Sequence, residues 1–165
     1  CVAEPPGTSR TAMIEPGSRA PDFQLDDQDG NRVSLGDFAG RRLVLAFYPH
    51  DFSPVCADQL SIYQEVLDEI EARDASLVGV SVDSSFCHGA FRERLGLTMP
   101  LLSDFQPRGA VCDSYGALIA DRGHANRSLV LVDAGGTVSW SFATPTPLEI
   151  PGANLIFDAL DAAEV

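Results

Sequence analysis

The stretch FYPHDFSPVCADQL, Phe47 to Leu60, marks the point where an apolar run beginning at Leu43 gives way to an amphipathic segment. The first part reads as a buried strand and the second as a helix. Ser53 suits the N-cap, because its hydroxyl can accept an otherwise unpaired amide hydrogen of the first turn. Pro54 suits the first helical position, where no amide donor is missed. Cys56 then falls at the third helical position, at the positive end of the helix dipole. A free cysteine has a pKa of about 8.5, and helix N-termini with nearby cations lower it to roughly 3.5 to 7.5, so this sulfur is placed to act as a nucleophile.

Downstream, Cys56, Leu60, Tyr63, Leu67 and Ile70 form one apolar stripe at helical spacing, so Cys56 faces the body of the protein. Arg73 closes the helix near its negative end, and Leu77 to Val82 is a second continuous apolar strand. Upstream, Asp29-Gly30 joins two short alternating segments in a hairpin, and Gly36 to Arg42 is a loop or helical turn. Phe86 to Leu95 predicts a second helix, capped by Ser84 or Ser85, with Phe86, Ala90 and Phe91 on its buried side. Then come a short extended segment MPLLSD, a third helix from Pro107 to Tyr115, and a third strand from Asn126 to Asp133. A hairpin through Ala134-Gly135-Gly136, a proline-rich connection from Thr144 to Pro151 and a terminal helix from Ala153 to Ala163 complete the order. It predicts an α/β fold of the thioredoxin-like class, a mixed central sheet with helices on both faces, in one domain over residues 13–165.

The composition bounds the function classes. The net charge is −13 and all 11 basic residues are Arg. Such a surface repels phosphate backbones, so no nucleic acid is expected as a partner, and the longest apolar run is too short to span a bilayer. The four cysteines, Cys1, Cys56, Cys87 and Cys112, show no CxxC, which argues against structural zinc and against a disulfide scaffold. No metal or cofactor is expected. His50, His88 and His124 are scattered and read as solvated or core groups, with a metal reading open only for His88 beside Cys87. Residues 1–12, rich in Pro, Gly and small polar residues, read as a disordered segment or a remnant of expression, with Met13 the natural start. A lipid attached at Cys1 is the alternative.

Several segments together resemble the peroxiredoxins. The spacing of Pro49, Ser53 and Cys56, PxxxSxxC after a strand ending FYP, is similar to that family's active-site motif, in which the hydroxyl residue is usually Thr and sometimes Ser. RAPDFQL resembles the family's opening, SVDSSFCHGAF its SVDS-to-His segment, and MPLLSDFQPRGAVCDSYG its PLLSD-to-Tyr-Gly segment. NRSLVLVDAGG resembles the strand that supplies the active-site arginine. The resemblance runs from Ile14 to about Leu160 and is nearest to bacterial alkyl hydroperoxide reductases of the E type, often called one-Cys peroxiredoxins.

The resemblance implies a thiol-dependent peroxidase acting on hydrogen peroxide and organic hydroperoxides. Cys56 would be the peroxidatic cysteine, Ser53 the hydroxyl donating to thiolate or peroxide oxygen, Arg127 the cation steadying the departing oxygen, and Pro49 a lid limiting water. Each role suits the chemistry, since attack on an O–O bond needs a thiolate and builds charge on the leaving oxygen. On its position alone, Arg127 reads as a strand-end salt-bridge partner. One departure is Gln59, where many relatives carry a Glu that orients the arginine. Oxidised Cys56 must be returned by another thiol. Cys87, in the first turn of the second helix, is the candidate resolving residue, because that helix end can fray and the same dipole would raise its thiolate fraction. Cys112 reads as buried packing. Otherwise an external thiol serves: thioredoxin, a glutaredoxin-like protein or a low-molecular-weight thiol. A homodimer and a cytoplasmic location are expected. The alternative is a single-thiol redox sensor or disulfide oxidoreductase of thioredoxin-like fold, and the latter would need the paired cysteines that are absent here.

Overall fold

The computed structural model describes residues 13–163, so the reading of residues 1–12 lies outside it. In chain order, β1 (Gln24–Asp26) and β2 (Arg32–Ser34) form the expected hairpin, and a 3-10 turn (Leu35–Phe38) leads into β3 (Arg42–Phe47). Next come α1 (Pro54–Glu65), α2 (Leu67–Glu71), β4 (Ala75–Ser81), α3 (Ser85–Leu95), β5 (Leu101–Ser103) and α4 (Ala110–Ser114). The chain continues through β6 (Leu118–Ile119), β7 (His124–Ala125), β8 (Ser128–Val132), β9 (Val138–Ala143) and α5 (Ala153–Ala162).

The main sheet has the order β2-β1-β5-β4-β3-β8-β9, with β3, β4 and β5 parallel and the outer pairs antiparallel. β3 lies at its heart. Val44, Ala46 and Tyr48 point to one face and Leu43, Leu45 and Phe47 to the other, and both rows are buried, which is why this segment reads as a continuous apolar run. The first face is covered by α1, α2, α3 and α5 through Leu60, Ile70, Phe91, Ile156 and Leu160. On the second face, Cys112 of α4 and Tyr115 pack with Ala20 and Phe23 of the amino-terminal segment. Helices do lie on both faces of a mixed sheet, unequally shared.

The stripe Cys56, Leu60, Tyr63, Leu67 and Ile70 is buried as expected, although the helix breaks at Val66 into two pieces that keep one face. Arg73 lies just past the helix and donates through Nη1 to the Glu69 carbonyl at 3.1 Å.

Three expectations need correction. In α3 the buried residues are His88 and Phe91, whereas Phe86 is 92% exposed and Ala90 is exposed, so the helix is rotated from the expected face. A polar histidine occupies the position that apolar periodicity assigns to Phe86, and the reason is a buried acid partner described below. The third helix begins only at Ala110, because Gly109 is left-handed at φ 73° and closely abuts Leu118, whose Cδ1 would lie 2.7 Å from an added Cβ. Finally, the small β6–β7 pair is an element the sequence reading did not anticipate, each strand being too short to show a period.

Candidate active site

Ser53 is in extended conformation at the head of α1, and its Oγ accepts from the Cys56 backbone N–H at 3.2 Å. The capping that the sequence predicts is therefore present, and the hydroxyl hydrogen stays available to donate. Cys56 is fully buried on the inward stripe of α1 and is a free thiol. Pro49, buried, follows the end of β3 and opens the loop leading to Ser53.

One helical turn beyond Cys56, Gln59 is also fully buried, and its Oε1 accepts from Arg127 Nη1 at 2.7 Å. Arg127 comes from the opposite side, just before β8, and is 2% exposed. Its Nε donates to the Pro147 carbonyl at 2.5 Å, and Nη2 has no hydrogen-bond partner among the described residues. The strand-end salt bridge expected of this residue by position is not found: neutral oxygens hold the guanidinium, and no carboxylate among the described residues pairs with it. Gln59 in turn donates to Tyr63 Oη at 3.2 Å, and Tyr63 donates to the Pro151 carbonyl at 2.6 Å. Burial pushes the Tyr63 hydroxyl up to about 12, which keeps its proton in that chain. An amide serves here as a carboxylate could not, accepting from arginine and donating to tyrosine.

The loop between Pro49 and Ser53 is fastened through Asp51 and Tyr48, which the sequence reading missed, and through His88, which it read as a solvated or core group. Asp51, with a side chain shielded from solvent, accepts from Tyr48 Oη at 2.6 Å and shares a proton with His88 Nδ1 at 2.7 Å. His88 Nε2 donates to the Leu102 carbonyl at 3.0 Å. The Asp51 backbone N–H donates to Asp83 Oδ2 at 2.8 Å. The Tyr48 ring lies over Gly79, where an added Cβ would come within 3.1 Å of it. Between Asp51 and Ser53, Phe52 sits at φ 67°, a left-handed conformation that costs a bulky residue about 1 to 3 kcal/mol and persists only where neighbours hold it. Its ring meets that of Phe91 at 5.1 Å. Asp51 looks like an ordinary loop acid in the sequence, and its partners are 3, 32 and 37 residues away, so no local signal marks it.

Cys87 repeats the capping pattern, with Ser84 Oγ accepting from its N–H at 3.3 Å. Its expected reactivity does not follow. Burial, with the charges of Asp51 and Asp83 and a hydrogen bond to Asp51, pushes this thiol up from 9.0 to about 12. The raised thiolate fraction expected from the helix end is opposed here by burial first and then by two carboxylates. Ligand atoms of Asp51, Asp83 and Cys87 lie within 4.8 Å of one another, but both Asp51 oxygens are engaged, and His88, for which a metal reading was open, has both nitrogens committed. Cys112 is fully buried, and its thiol is pushed well up by burial and then by Asp104, in keeping with a packing role.

The family model described as the AhpC/TSA family matches residues 16–141. Alkyl hydroperoxide reductase E of Mycobacterium tuberculosis (strain ATCC 25618 / H37Rv) is 35% identical over 151 residues, spanning 91% of this chain and 98% of that protein. Among solved structures, Enterococcus faecalis AhpC superposes with a TM-score of 0.84 at 27% identity, covering 90% of this chain and 92% of the other. Mycobacterium tuberculosis AhpC gives 0.82 at 27% identity, with 93% and 94% covered.

Proposed function

The chain belongs to the AhpC/TSA family and is a peroxiredoxin, a thiol-dependent peroxidase, and on that premise we propose that Cys56 is the peroxidatic nucleophile and that Ser53, Arg127 and Pro49 complete its site. The thiolate of Cys56 attacks one oxygen of a hydroperoxide. A sulfur–oxygen bond forms with the sulfur's electron pair, the O–O bond breaks, and the departing alkoxide or hydroxide takes a proton to leave as alcohol or water. Sulfur ends as a sulfenic acid. In this reading Ser53 Oγ–H and the unengaged Nη2 of Arg127 donate to the charge that builds on oxygen, an arrangement of the kind that lowers such barriers. Pro49 narrows the approach of water.

The observation that carries this reading is the buried guanidinium of Arg127, tied by Gln59 to the helix that bears Cys56 and neutralised by no acid among the described residues. The reading of a disulfide oxidoreductase or redox sensor is not favoured by the relatives.

A thiol must then attack the sulfenic sulfur, releasing water and forming a disulfide that a further thiol reduces. We assign this step first to an external thiol, a thioredoxin, glutaredoxin-like protein or low-molecular-weight thiol. Cys87 is the internal alternative for this step, with a thiol that burial and then Asp51 and Asp83 push up to about 12. A homodimer and a cytoplasmic location belong to the same proposal. No helix among the described residues is long and apolar enough to cross a membrane.

Trapping tests the assignment. With one equivalent of hydrogen peroxide and a sulfenic-acid-specific dione, the adduct is expected on Cys56 by peptide mass mapping. An adduct confined to Cys87 or Cys112 would overturn it.

A further inference from the structure

Four ties converge on the loop that delivers Ser53 and the first turn of α1, and three of them pass through Asp51. Its carboxylate reaches Tyr48 at the end of β3 and His88 on α3, its backbone reaches Asp83 in the connection before α3, and the neighbouring Phe52 ring rests on Phe91. His88 and Phe91 stand one helical turn apart on α3, and His88 continues to the Leu102 carbonyl of β5. One shielded carboxylate therefore links β3, α3 and β5 to the loop.

That loop carries a left-handed Phe52 immediately before the serine cap, so its conformation needs outside support. Among the described residues the acceptor facing His88 Nε2 is a carbonyl, so Nε2 carries a hydrogen, and the remaining contact with Asp51 is a single shared proton between Nδ1 and Oδ2. Every polar atom of the Asp51 carboxylate and the His88 ring is used in fastening, and none is left for substrate.

We propose that Asp51 and His88 are positioning residues for the peroxide reaction: the pair fixes the loop that places Ser53 Oγ and the amide end of α1 around the Cys56 sulfur. The proposal rests on Cys56 being the nucleophile. What the pair contributes is hydrogen-bonded geometry rather than charge. An asparagine at 51 can still accept from Tyr48 through Oδ1 and donate through Nδ2 to the unprotonated Nδ1 of a neutral His88, whose Nε2–H still meets Leu102.

The test compares reduced wild type with Asp51→Ala, Asp51→Asn, His88→Ala and Cys56→Ser. Single-turnover consumption of hydrogen peroxide is followed by rapid quench, alongside iodoacetamide alkylation of Cys56 and thermal unfolding. Asp51→Ala is expected to slow peroxide reduction about tenfold or more and His88→Ala about three- to tenfold, while Asp51→Asn keeps at least about a third of the wild-type rate. Alkylation of Cys56, which needs no aligned donors, stays within about threefold throughout. General loosening would instead lower the melting temperature and raise alkylation in proportion to the lost rate, and that pattern overturns the proposal. So does a folded Asp51→Ala with wild-type peroxide kinetics, or an Asp51→Asn as slow as the alanine. If Asp51→Ala does not fold, His88→Ala decides, and a loss below threefold overturns the inference. A Cys56→Ser protein that still consumes peroxide in single turnover would instead remove the nucleophile assignment itself.

Discussion

Cys56 and Cys87 each stand at the third position of a helix, and each gives its backbone N–H to a serine cap, at 3.2 Å to Ser53 and 3.3 Å to Ser84. Locally they are near copies. Their surroundings come from different parts of the chain. Cys56 is fully buried on the face of α1 where Gln59 grips Arg127, whereas half-buried Cys87 looks onto Asp51 and Asp83. A helix end supplies the same partial charge to both; what raises the Cys87 thiol is burial first, and then the full charges of Asp51 and Asp83 delivered by two loops. The serine-capped cysteine motif alone does not fix the reactivity of its thiol.

The bluntest way to break this comparison is to exchange each sulfur for oxygen. Cys56→Ser should lower hydroperoxide turnover by at least about 10³-fold, whereas Cys87→Ser should leave the first oxidation step within about twofold, both by stopped-flow. Equal losses would mean that the two helix ends share the work. Next in size is the cation. Arg127→Met should cost about 10²- to 10³-fold in the peroxide step, the range seen when one fixed donor to a developing oxyanion is removed, with thermal unfolding run in parallel to exclude a folding defect.

The other half of the comparison is sharpened at Asp83. Asp83→Asn removes one of the charges that hold the Cys87 thiol up, so iodoacetamide should label Cys87 faster at neutral pH, about tenfold for each pH unit by which its pKa falls. An unchanged labelling rate would show that burial alone governs this thiol. The smallest effect is on stability. Because the folded protein holds the Cys87 proton to about 12 while an ordinary thiol loses it at 9.0, the unfolded chain binds fewer protons in between. Stability is therefore undiminished below 9.0 and falls as pH rises toward 12. Buried Cys112 and Tyr48, both pushed upward, add to the same slope. Urea midpoints across that window should fall less steeply in Cys87→Ser, and an identical slope would contradict the account.

Much of the site is legible in the sequence because it is local. Ser53, Pro54 and Cys56 announce a helix start within four residues, and the stripe from Cys56 to Ile70 announces the buried face. Arg127 is legible only by family resemblance, since nothing near it distinguishes a site cation from a surface one. Asp51, Tyr48 and His88 are illegible for a different reason: their meaning lies in contacts between β3, α3 and β5, and an acid in a loop or a histidine in a helix has no period of its own. The same contact explains the misjudged face of α3. Apolar spacing places Phe86 inward, but burying His88 against Asp51 turns the helix and leaves Phe86 at the surface. Cys87 fails differently, because its helix-end position is read correctly while the acids beside it come from elsewhere.

The proline-rich connection from Thr144 to Pro151 acts as a strap, because two of its oxygens, those of Pro147 and Pro151, receive Arg127 and Tyr63. Its far end is moored by α5, whose Ile156 and Leu160 sit in the core and whose Leu160 carbonyl takes a hydrogen from Arg42 at 2.7 Å. α5 is thus linked, through the strap, Arg127 and Gln59, to the helix that carries Cys56. Loosening α5 would slacken the strap and let the guanidinium drift, so damage to this helix would surface first as sluggish chemistry.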